Sequence, residues 1–474
     1  PDRMTAPVIY WTRRDFRLAD NPALVAACRD GAPVIPVFLY DEVVEAHGAA
    51  PKWRLGLGAQ AFAARLREVG STLVFRRGRA LDSLQALVAE TGASAVHWNR
   101  LYDPDSRRRD EAVKAALKDA GVDAVSHAGH LIHEPWTVET GTGGFYKVYT
   151  PFWKAVRDRT VAAPLEAPTP AAPATWPASD DPADWHLGAA MGRGAAVVRP
   201  HCHVGEAAAQ GRLDAFIARK LDDYADNRDR LAVDGTSGLS ENLTHGEVSA
   251  RACWHAGARA MARGSAGAEA FLKELVWRDF AYHLVYHTPR ITSTNWRPEW
   301  EAFPWNEDAD RAEVRAWTRG RTGMAIVDAA MREMYVTGRM HNRARMLVAS
   351  YLTKHLLSHW KIGMRWFEDC LIDWDPASNA MGWQWSAGSG PDATPYFRVF
   401  NPETQAEKFD PGGQYRRAWV AELSADPPET ALSYFAAIPA GWGMSAADPY
   451  PSAPVVSAAQ GRKRALEAYE NRDF

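Results

Sequence analysis

Short apolar runs alternate with amphipathic segments over the first 130 residues of the chain. Runs rich in β-branched and aromatic residues predict five strands, at Pro7–Trp11, Pro33–Tyr40, Ser71–Arg76, Ser94–Asn99 and Val122–Ser126. Apolar residues spaced three and four apart predict four helices between them, at Pro22–Asp30, Lys52–Val69, Ala80–Thr91 and Pro104–Ala120. This alternation predicts an α/β domain, residues 1–130, with a parallel, Rossmann-like five-stranded sheet covered by helices.

The turn after the first predicted strand argues against one common ligand of such sheets. It reads TRRDFRLAD, Thr12–Asp20, and contains no G-x-G-x-x-G pattern. Those glycines let the backbone approach a pyrophosphate closely. A nicotinamide dinucleotide site of the usual kind is therefore not expected.

A stretch rich in proline and alanine follows the α/β pattern. Six prolines lie within Val161–Pro182, a composition that builds no packed core and predicts an extended linker within residues 131–210. Beyond it the pattern is helical almost throughout, with the clearest spacing at Arg212–Tyr224, Phe271–His287, Gly323–Val336 and Asn342–Ser358. Residues 211–474 are therefore predicted to form one large all-α domain.

Composition narrows the function classes. The 474 residues are 46% hydrophobic and 24% charged, which is an ordinary globular balance. No apolar run approaches the roughly 18 residues that a membrane span needs, so we expect no membrane segment. The net charge of −3 argues against a globally basic nucleic-acid binder and leaves room for a local basic patch.

Cysteine and histidine usage carries no metal signature. The chain has four scattered cysteines, Cys28, Cys202, Cys253 and Cys370. Without a CxxC pair, a cysteine-rich metal site is not expected. His355 and His359 have a helical zinc spacing but no third ligand nearby in sequence. We therefore expect no metal and a reducing, cytoplasmic location.

The segment DGTSGLSENL, Asp234–Leu243, combines hydroxyl side chains with glycines directly before a helical run. Hydroxyls and free backbone N–H groups bind phosphate oxygens, and glycine lets a ligand approach the backbone. The alternative interpretation is an ordinary helix cap with a turn, and spacing alone favours that alternative.

The segment FLKELVWRDF, Phe271–Phe280, places three side chains on one helix face, Glu274, Trp277 and Arg278. A carboxylate beside an indole is a candidate ligand-binding face. The alternative interpretation is an amphipathic helix with an internal Glu–Arg ion pair.

The segment GRMHNRARMLVASYL, Gly338–Leu352, mixes an amide, a thioether and basic groups. Asn342 and Met346 are four residues apart and share a face, while Arg345 points elsewhere. The alternative interpretation is a helix start with one solvated side.

The segment Leu371–Pro402 gathers tryptophans, carboxylates and an amide among glycine, serine and proline. This composition is typical of loops and short helices that present side chains to a ligand. Tryptophan is also abundant in the whole chain, with 20 residues of 474. Stacking platforms and redox relays use such a surplus.

Five fragments of the chain occur in the order known from one family. They are VIYWTRRDFRLADNPAL, YADNRDRLAVDGTSGLS, FLKELVWRDF, TGMAIVDAAMREMYVTGRMHNRARM and GWQW…PYFRVFNPETQAEKFD. Together they resemble the photolyase/cryptochrome family of flavoproteins over almost the whole chain. The resemblance implies an antenna-binding α/β domain, a helical FAD-binding domain and light-driven electron transfer.

The resemblance also implies which residues bind FAD. The residues that match the FAD phosphate-binding segment are Tyr224, Thr236, Ser237, Leu239 and Ser240. Arg345 and Asp373 match the pair that flanks the flavin ring, and Asp375 matches the residue on the ribityl and adenine side. Asn379 matches the residue that faces the reactive ring nitrogen, where a neutral amide accepts the N–H of reduced flavin.

A pocket for a cyclobutane pyrimidine dimer is implied in the same way. The matching residues are Glu274, Trp277, Asn342, Met346 and Trp385. A flipped dimer would stack on Trp277 and Trp385 while Glu274 bonds the pyrimidine edge. Enzymes that repair 6-4 photoproducts carry two histidines where Asn342 and Met346 stand, which argues against 6-4 repair.

The tryptophan surplus gains a partial explanation from the resemblance. Trp383, Trp360 and Trp305 match a relay that carries electrons from the surface to the flavin. Trp300 is a rival of Trp305 for the last position.

The DWDPASNAMGWQW segment is similar to class III cyclobutane-dimer photolyases, which lie near plant cryptochromes. That likeness favours a folate antenna, methenyltetrahydrofolate, over a deazaflavin or no antenna. The expected function is blue-light-driven repair of pyrimidine dimers in UV-damaged DNA by a monomer, with Arg343 and Lys408 contacting the DNA. The alternatives are a cryptochrome-like photoreceptor without repair activity and an α/β binding protein without photochemistry.

Overall fold

A parallel sheet forms the centre of the N-terminal part of the molecule. The computed structural model describes residues 6–474; residues 1–5 of the predicted first domain lie outside the described residues. The strands are β1 Val8–Thr12, β2 Val34–Tyr40, β3 Val74–Arg77, β4 Ala95–Asn99 and β5 Asp123–His127. Their order is β3-β2-β1-β4-β5 and each neighbouring pair is parallel, which confirms the predicted sheet.

Helices bury both faces of this sheet. They are α1 Pro22–Ala27, α2 Glu42–Glu45, α3 Ala49–Glu68, α4 Ala80–Thr91 and α5 Pro104–Asp119. Neighbouring residues of β1 belong to different apolar clusters, Tyr10 to one and Ile9 to the other. The sheet is therefore covered on both sides. Successive side chains of a strand point to opposite faces, and the helices that connect parallel strands pack on those faces.

The ends of these elements differ from the prediction for local reasons. The unpredicted helix α2 begins because the Asp41 carboxylate accepts the N–H groups of Val43 and Val44. β3 starts three residues later than predicted because Ser71 is part of the turn that closes α3. Its N–H donates to the carbonyl of Leu66.

The proline-rich segment is extended but not free. The N–H of Val34 donates to the carbonyl of Ala171, and the N–H of Phe75 donates to Ser179 Oγ. The segment therefore lies against the sheet. Two α-helices lie entirely within the predicted linker region 131–210, α6 Tyr149–Val156 and α7 Ala195–Val198, and a third begins there at Glu206. The three-part division of the chain remains a prediction.

The C-terminal part is helical, as predicted. Its helices are α8 Glu206–Arg219, α9 Tyr224–Asn227, α10 Ser240–Thr244, α11 Ala250–Ala262, α12 Ala268–His287, α13 Ala312–Thr318, α14 Ala325–Thr337, α15 Asn342–Ser350, α16 Trp360–Cys370, α17 Pro376–Ala387, α18 Pro402–Phe409, α19 Gln414–Trp419, α20 Glu429–Ala437 and α21 Ala458–Glu470. Across residues 6–474, none of the helices has the length and apolar character that crossing a membrane requires.

Two predicted helical spans are not continuous α-helices. The span Arg212–Tyr224 is divided between α8 and α9, because the N–H of Tyr224 turns back to the carbonyl of Leu221. The span Asn342–Ser358 ends its α-helical part at Ser350.

A wider π-helical turn, Tyr351–His355, then interrupts the second span. Long-range hydrogen bonds accompany this turn. The indole N–H of Trp305 donates to the carbonyl of Thr353 at 3.0 Å, and the hydroxyl of Tyr351 donates to the carbonyl of Val456 at 2.8 Å. Because these partners are distant in sequence, helical spacing could not indicate the interruption.

Candidate active site

The hydroxyl-rich segment before α10 is surrounded by cationic side chains. Arg212 Nη1 donates to the carbonyl of Gly238 at 2.7 Å, and Lys220 Nζ donates to the carbonyl of Thr236 at 3.3 Å. Gly238 has a φ of +66°, and a Cβ there would lie 3.0 Å from Arg339 Nη2. The left-handed backbone conformation therefore favours glycine here, and a Cβ would also make the Arg339 guanidinium shift slightly. Three cations around one loop provide a suitable environment for a diphosphate.

Of the alternative interpretation, a helix cap with a turn, the turn is present in this segment, whereas α10 has no side-chain cap. Ser237 Oγ accepts the N–H of Leu239 at 3.2 Å, so the ordinary turn interpretation describes part of the local structure. Leu239 is buried, and Tyr224 is buried against Phe216 and Phe271. Burial raises the pKa of the Tyr224 hydroxyl and keeps it protonated.

Two residues predicted to hold the flavin, Ser240 and Arg345, donate hydrogen bonds to the carboxylate of a third, Asp373. Ser240 Oγ and Arg345 Nη2 each donate to Asp373 Oδ2 at 2.7 Å, although the three residues are far apart in sequence. Asp373 Oδ1 is buried and has no hydrogen-bond partner. A buried carboxylate oxygen without a donor is costly in isolation. The arrangement therefore fits a bound heteroaromatic ring that offers an N–H, as a flavin does.

Asn379 has a defined amide orientation. Its Nδ2 donates to the carbonyl of Met364 at 3.0 Å, which leaves Oδ1 as the available acceptor. An acceptor is the group that the N–H of a reduced flavin needs. Asp375 is used differently: Oδ1 accepts the N–H of Ser378 and caps α17, and Oδ2 accepts the hydroxyl of Tyr282. Both oxygens of Asp375 are thus engaged within the protein.

The predicted lesion-binding face of α12 has partners outside its own helix. Glu274 Oε1 forms an ion pair with Arg228 Nη2 at 2.6 Å. Arg278 instead donates to the carbonyl of His130, so the alternative of an internal Glu274–Arg278 pair is wrong. Burial raises the pKa of the Glu274 carboxyl, and the Arg228 guanidinium opposes that rise.

Trp277 is stacked on a residue that the sequence did not single out. Its ring lies parallel to that of Tyr149, with centroids 3.7 Å apart and an interplanar angle of 5°. Arg228 and Tyr149 are therefore the two functional candidates that were missed. Arg228 lies in the quoted YADNRDR fragment, where its charge next to Tyr224 was a usable signal. No local pattern marks Tyr149.

The other predicted pocket residues lie on helices that meet. Asn342 is exposed and Met346 is half-buried on α15, and Trp385 is half-buried on α17. Helix α17 packs against both α12 and α15. The three helices that carry the five predicted pocket residues, α12, α15 and α17, thus pack together.

The three predicted relay tryptophans are all buried. Trp383 lies against Gly363 on α16, the helix that Trp360 begins, and a Cβ at Gly363 would overlap its ring. Trp360 and Trp305 both contact the His359 ring, at centroid distances of 5.2 and 5.4 Å. The rival Trp300 stacks on Trp305 at 5.6 Å, and both rings are about equally buried. Which of the two ends the relay stays a prediction.

Comparison with known proteins identifies the chain's relatives. Residues 8–174 match the family model described as DNA photolyase, and residues 271–471 match that of the FAD binding domain of DNA photolyase. A deoxyribodipyrimidine photo-lyase of Agrobacterium fabrum is 43% identical and covers 98% of both chains. One of Synechococcus is 38% identical and covers 91% of both.

The fold has a close counterpart as well. A bacterial class III photolyase from Agrobacterium tumefaciens superposes with a TM-score of 0.89 at 42% identity, over 98% of this chain and 97% of that one. The comparisons thus match both the parallel α/β part and the helical FAD-binding part of the chain, and FAD is the cofactor of this fold. On sequence identity over the full length and on matched domains, the chain belongs to the photolyase/cryptochrome family.

Proposed function

We propose that this protein is a light-driven lyase that splits cyclobutane pyrimidine dimers in DNA, of the class III type. The observation that carries the proposal is the α12 face, where a carboxylate paired with a guanidinium lies one turn from an indole of fixed orientation. Relatives named deoxyribodipyrimidine photo-lyase support the same activity.

FAD, when bound and reduced, supplies the electron that opens the cyclobutane ring. The chain's own residues bind and orient the substrate. Photolyases are among the enzymes that extrude the target nucleotide from the duplex, and the extruded bases stack on aromatic side chains. Trp277 and Trp385 supply those faces. Asn342 and Met346 line the pocket from α15.

Glu274 and Arg228 act on the charge that develops on the pyrimidine pair. As an ion pair they add no net charge to the pocket, so they do not oppose an incoming electron. Arg228 retains N–H donors beyond its bond to Glu274, and these can stabilise negative charge on a pyrimidine carbonyl. Glu274 accepts hydrogen bonds from the pyrimidine edge.

DNA contacts are proposed for two cations that flank Phe409. The guanidinium of Arg343 lies 4.4 Å from the centroid of that ring, and Lys408 Nζ lies 5.2 Å from it. Arg343 is also paired with Asp229 at 3.1 Å. The Asp229 carboxylate therefore weakens the attraction between Arg343 and the backbone phosphates. This local patch supports DNA binding by a chain of net charge −3. We further propose a cytoplasmic monomer.

A folate antenna is proposed for the crevice at the carboxyl ends of β1, β2 and β4. Parallel sheets bind ligands at that edge, beside the strand where the order reverses. Three polar atoms there are buried without partners, Trp11 Nε1, Arg13 Nε and Arg109 Nη2. Unpaired donors suit the acceptor-rich edge of a pterin. Mass spectrometry of the extracted chromophores identifies a folate, a deazaflavin or neither.

The test of the lyase uses photoreduced protein, an oligonucleotide with one thymine dimer, and blue light. Recovery of intact thymine in light but not in the dark is the expected result. Glu274→Ala should lower the repair yield while the bound FAD is retained. A flavin-loaded protein that repairs nothing would indicate a photoreceptor instead, and an unchanged yield in Glu274→Ala would remove the role given to that carboxylate.

A further inference from the structure

We propose that Tyr149 is a positioning residue for lesion recognition, which sets the plane of Trp277 and leaves one indole face for the flipped pyrimidines. The proposal rests on the proposed function of the pocket. It assigns a role to a residue of α6, outside the helices that carry the predicted pocket.

The stacking geometry is the first support. The two rings are 3.7 Å apart at their centroids and 5° from parallel, so the phenol covers one face of the indole. Tyr149 is 7% exposed, whereas Trp277 is only partly buried. An incoming base therefore meets the opposite face of Trp277. Aromatic pairs in contact add stabilisation beyond the area they bury.

The hydroxyl of Tyr149 ties this stack to the helix. It donates to the carbonyl of Lys273 at 2.7 Å. In an α-helix the carbonyl of residue 273 also accepts the backbone N–H of residue 277. One carbonyl of α12 thus holds both members of the stack. Burial raises the pKa of the Tyr149 hydroxyl, so it remains a donor.

The backbone of Tyr149 reaches the other side of the pocket. Its N–H donates to Asp392 Oδ2 at 3.0 Å. Asp392 has a φ of +51°, in the left-handed region that aspartate enters more readily than most residues with a side chain. Asp392 follows α17, the helix that carries Trp385. Tyr149 therefore links α12, which carries Trp277, to the segment that follows α17, which carries Trp385.

Such a link affects binding in a selective way. A fixed indole loses little conformational entropy when a base stacks on it, whereas a mobile indole must be ordered by the ligand. Only the extruded dimer uses this surface. Phosphate contacts, which dominate the affinity for undamaged DNA, do not involve Tyr149.

The experiment compares the full-length, FAD-loaded wild type with Tyr149→Leu, Tyr149→Phe and the control Tyr286→Phe. Tyr286 is a half-buried tyrosine on α12 that contacts Trp136. The dissociation constant is measured for one oligonucleotide with and without a thymine dimer. FAD content and repair at saturating DNA are measured on the same samples.

Tyr149→Leu should bind the dimer-containing DNA about 5- to 10-fold more weakly, with unchanged affinity for undamaged DNA and unchanged FAD content. Tyr149→Phe should keep the stack and lose about twofold, and Tyr286→Phe should match the wild type. Repair per bound dimer should fall less than affinity does.

Equal weakening on both DNAs, or full retention of the preference for the dimer, would overturn the role of Tyr149. If Tyr149→Leu does not fold, the ratio of affinities in Tyr149→Phe decides, and a ratio equal to that of the wild type overturns the role. A wild-type protein without any preference for the dimer overturns the proposed function together with this role.

Discussion

Arg54 and Glu241 form a completely buried ion pair between α3 and α10, the helix that begins within the predicted phosphate-binding segment Asp234–Leu243. Arg54 Nε lies 2.8 Å from Glu241 Oε1, and Arg54 Nη2 lies 2.7 Å from Glu247 Oε2. Arg212 Nη1 also binds Glu241, at 3.0 Å. Because Arg212 holds the carbonyl of Gly238 as well, α3 is connected to the loop through two charged contacts.

Replacing Arg54 with Met should destabilise the protein strongly. The substitution leaves the Glu247 carboxylate buried with only the amide of Asn242 as a side-chain partner. Breaking a buried ion pair from one side costs about 3 to 5 kcal/mol. Urea unfolding measures the change, and FAD content should fall as the loop loosens.

Arg65→Met is the matched control for that substitution. Arg65 lies on the same helix and pairs with Glu68, with the two side chains 41% and 64% exposed, and its Nε lies 3.6 Å from Glu206 Oε2. An exposed pair contributes less than about 1 kcal/mol. Similar unfolding curves for Arg54→Met and Arg65→Met would show that the buried ion pairs of Arg54 contribute no more to stability than the exposed pair of Arg65.

Asp373→Asn should reduce FAD retention. The amide keeps the size of the side chain but removes the charge that holds both Ser240 and Arg345, and it places a donor where the flavin N–H is expected. We expect at least about a tenfold increase in the FAD dissociation constant, since hydrogen bonds to charged groups are the stronger ones. The ratio of flavin to protein absorbance after dialysis reports it.

Asp214→Asn provides the comparison for Asp373. Asp214 is an exposed carboxylate on α8 whose side-chain contact is with Gln210. It should retain FAD like the wild type. Equal retention in Asp373→Asn would remove that residue from the flavin site.

The tryptophan relay should be separable from repair. Trp360→Phe removes the central, fully buried member, whose indole N–H donates to Asn295 Oδ1 at 2.8 Å. Light-driven reduction of the bound flavin should then be at least about tenfold slower, whereas chemically reduced protein should still repair dimers. Transient absorption follows the first reaction and product analysis the second.

Trp305→Phe and Trp300→Phe then decide the end of the relay. The variant that slows photoreduction identifies the residue that is required. If Trp360→Phe photoreduces at the wild-type rate, electrons take another path and the relay assignment fails.

Lys354 should make the protein more stable as the pH rises from about 8 towards 10.5. It is fully buried, its Nζ donates to the carbonyl of Arg398, and it forms no ion pair within residues 6–474. Burial lowers the pKa of Lys354 from 10.5 to about 8. The unfolded chain therefore binds more protons in that interval, and the free energy of unfolding rises with pH there.

Lys354→Met removes this contribution. It should stabilise the protein at pH 7 by about 3 kcal/mol, with a difference from the wild type that shrinks as the pH rises past 8. Denaturant unfolding at several pH values gives the free energy of unfolding of both proteins. The tyrosines are the same in both, so their titration cancels when one value is subtracted from the other. A difference that does not depend on pH would mean that burial leaves the pKa of Lys354 unchanged and that the amine stays charged in the folded protein.

Much of the fold was accessible from local sequence. Each strand of the sheet and eight of the α-helices follow from periodicity, because a period of two or of 3.6 residues determines which side chains share a face. Family fragments in register indicated the residues that are proposed to bind the flavin and the lesion. Element ends were less predictable, since Asp41 and Ser71 act through hydrogen bonds that begin or end a turn.

The sequence by itself determined the layer architecture and the chemical inventory of the pocket. Tertiary structure decided which groups meet: Ser240 and Arg345 converge on Asp373, Arg228 rather than Arg278 pairs with Glu274, and Tyr149 covers Trp277. These contacts join residues 28 to 133 positions apart, so no local pattern encodes them. They form because packing of distant helices brings the side chains together and burial makes their pairing obligatory.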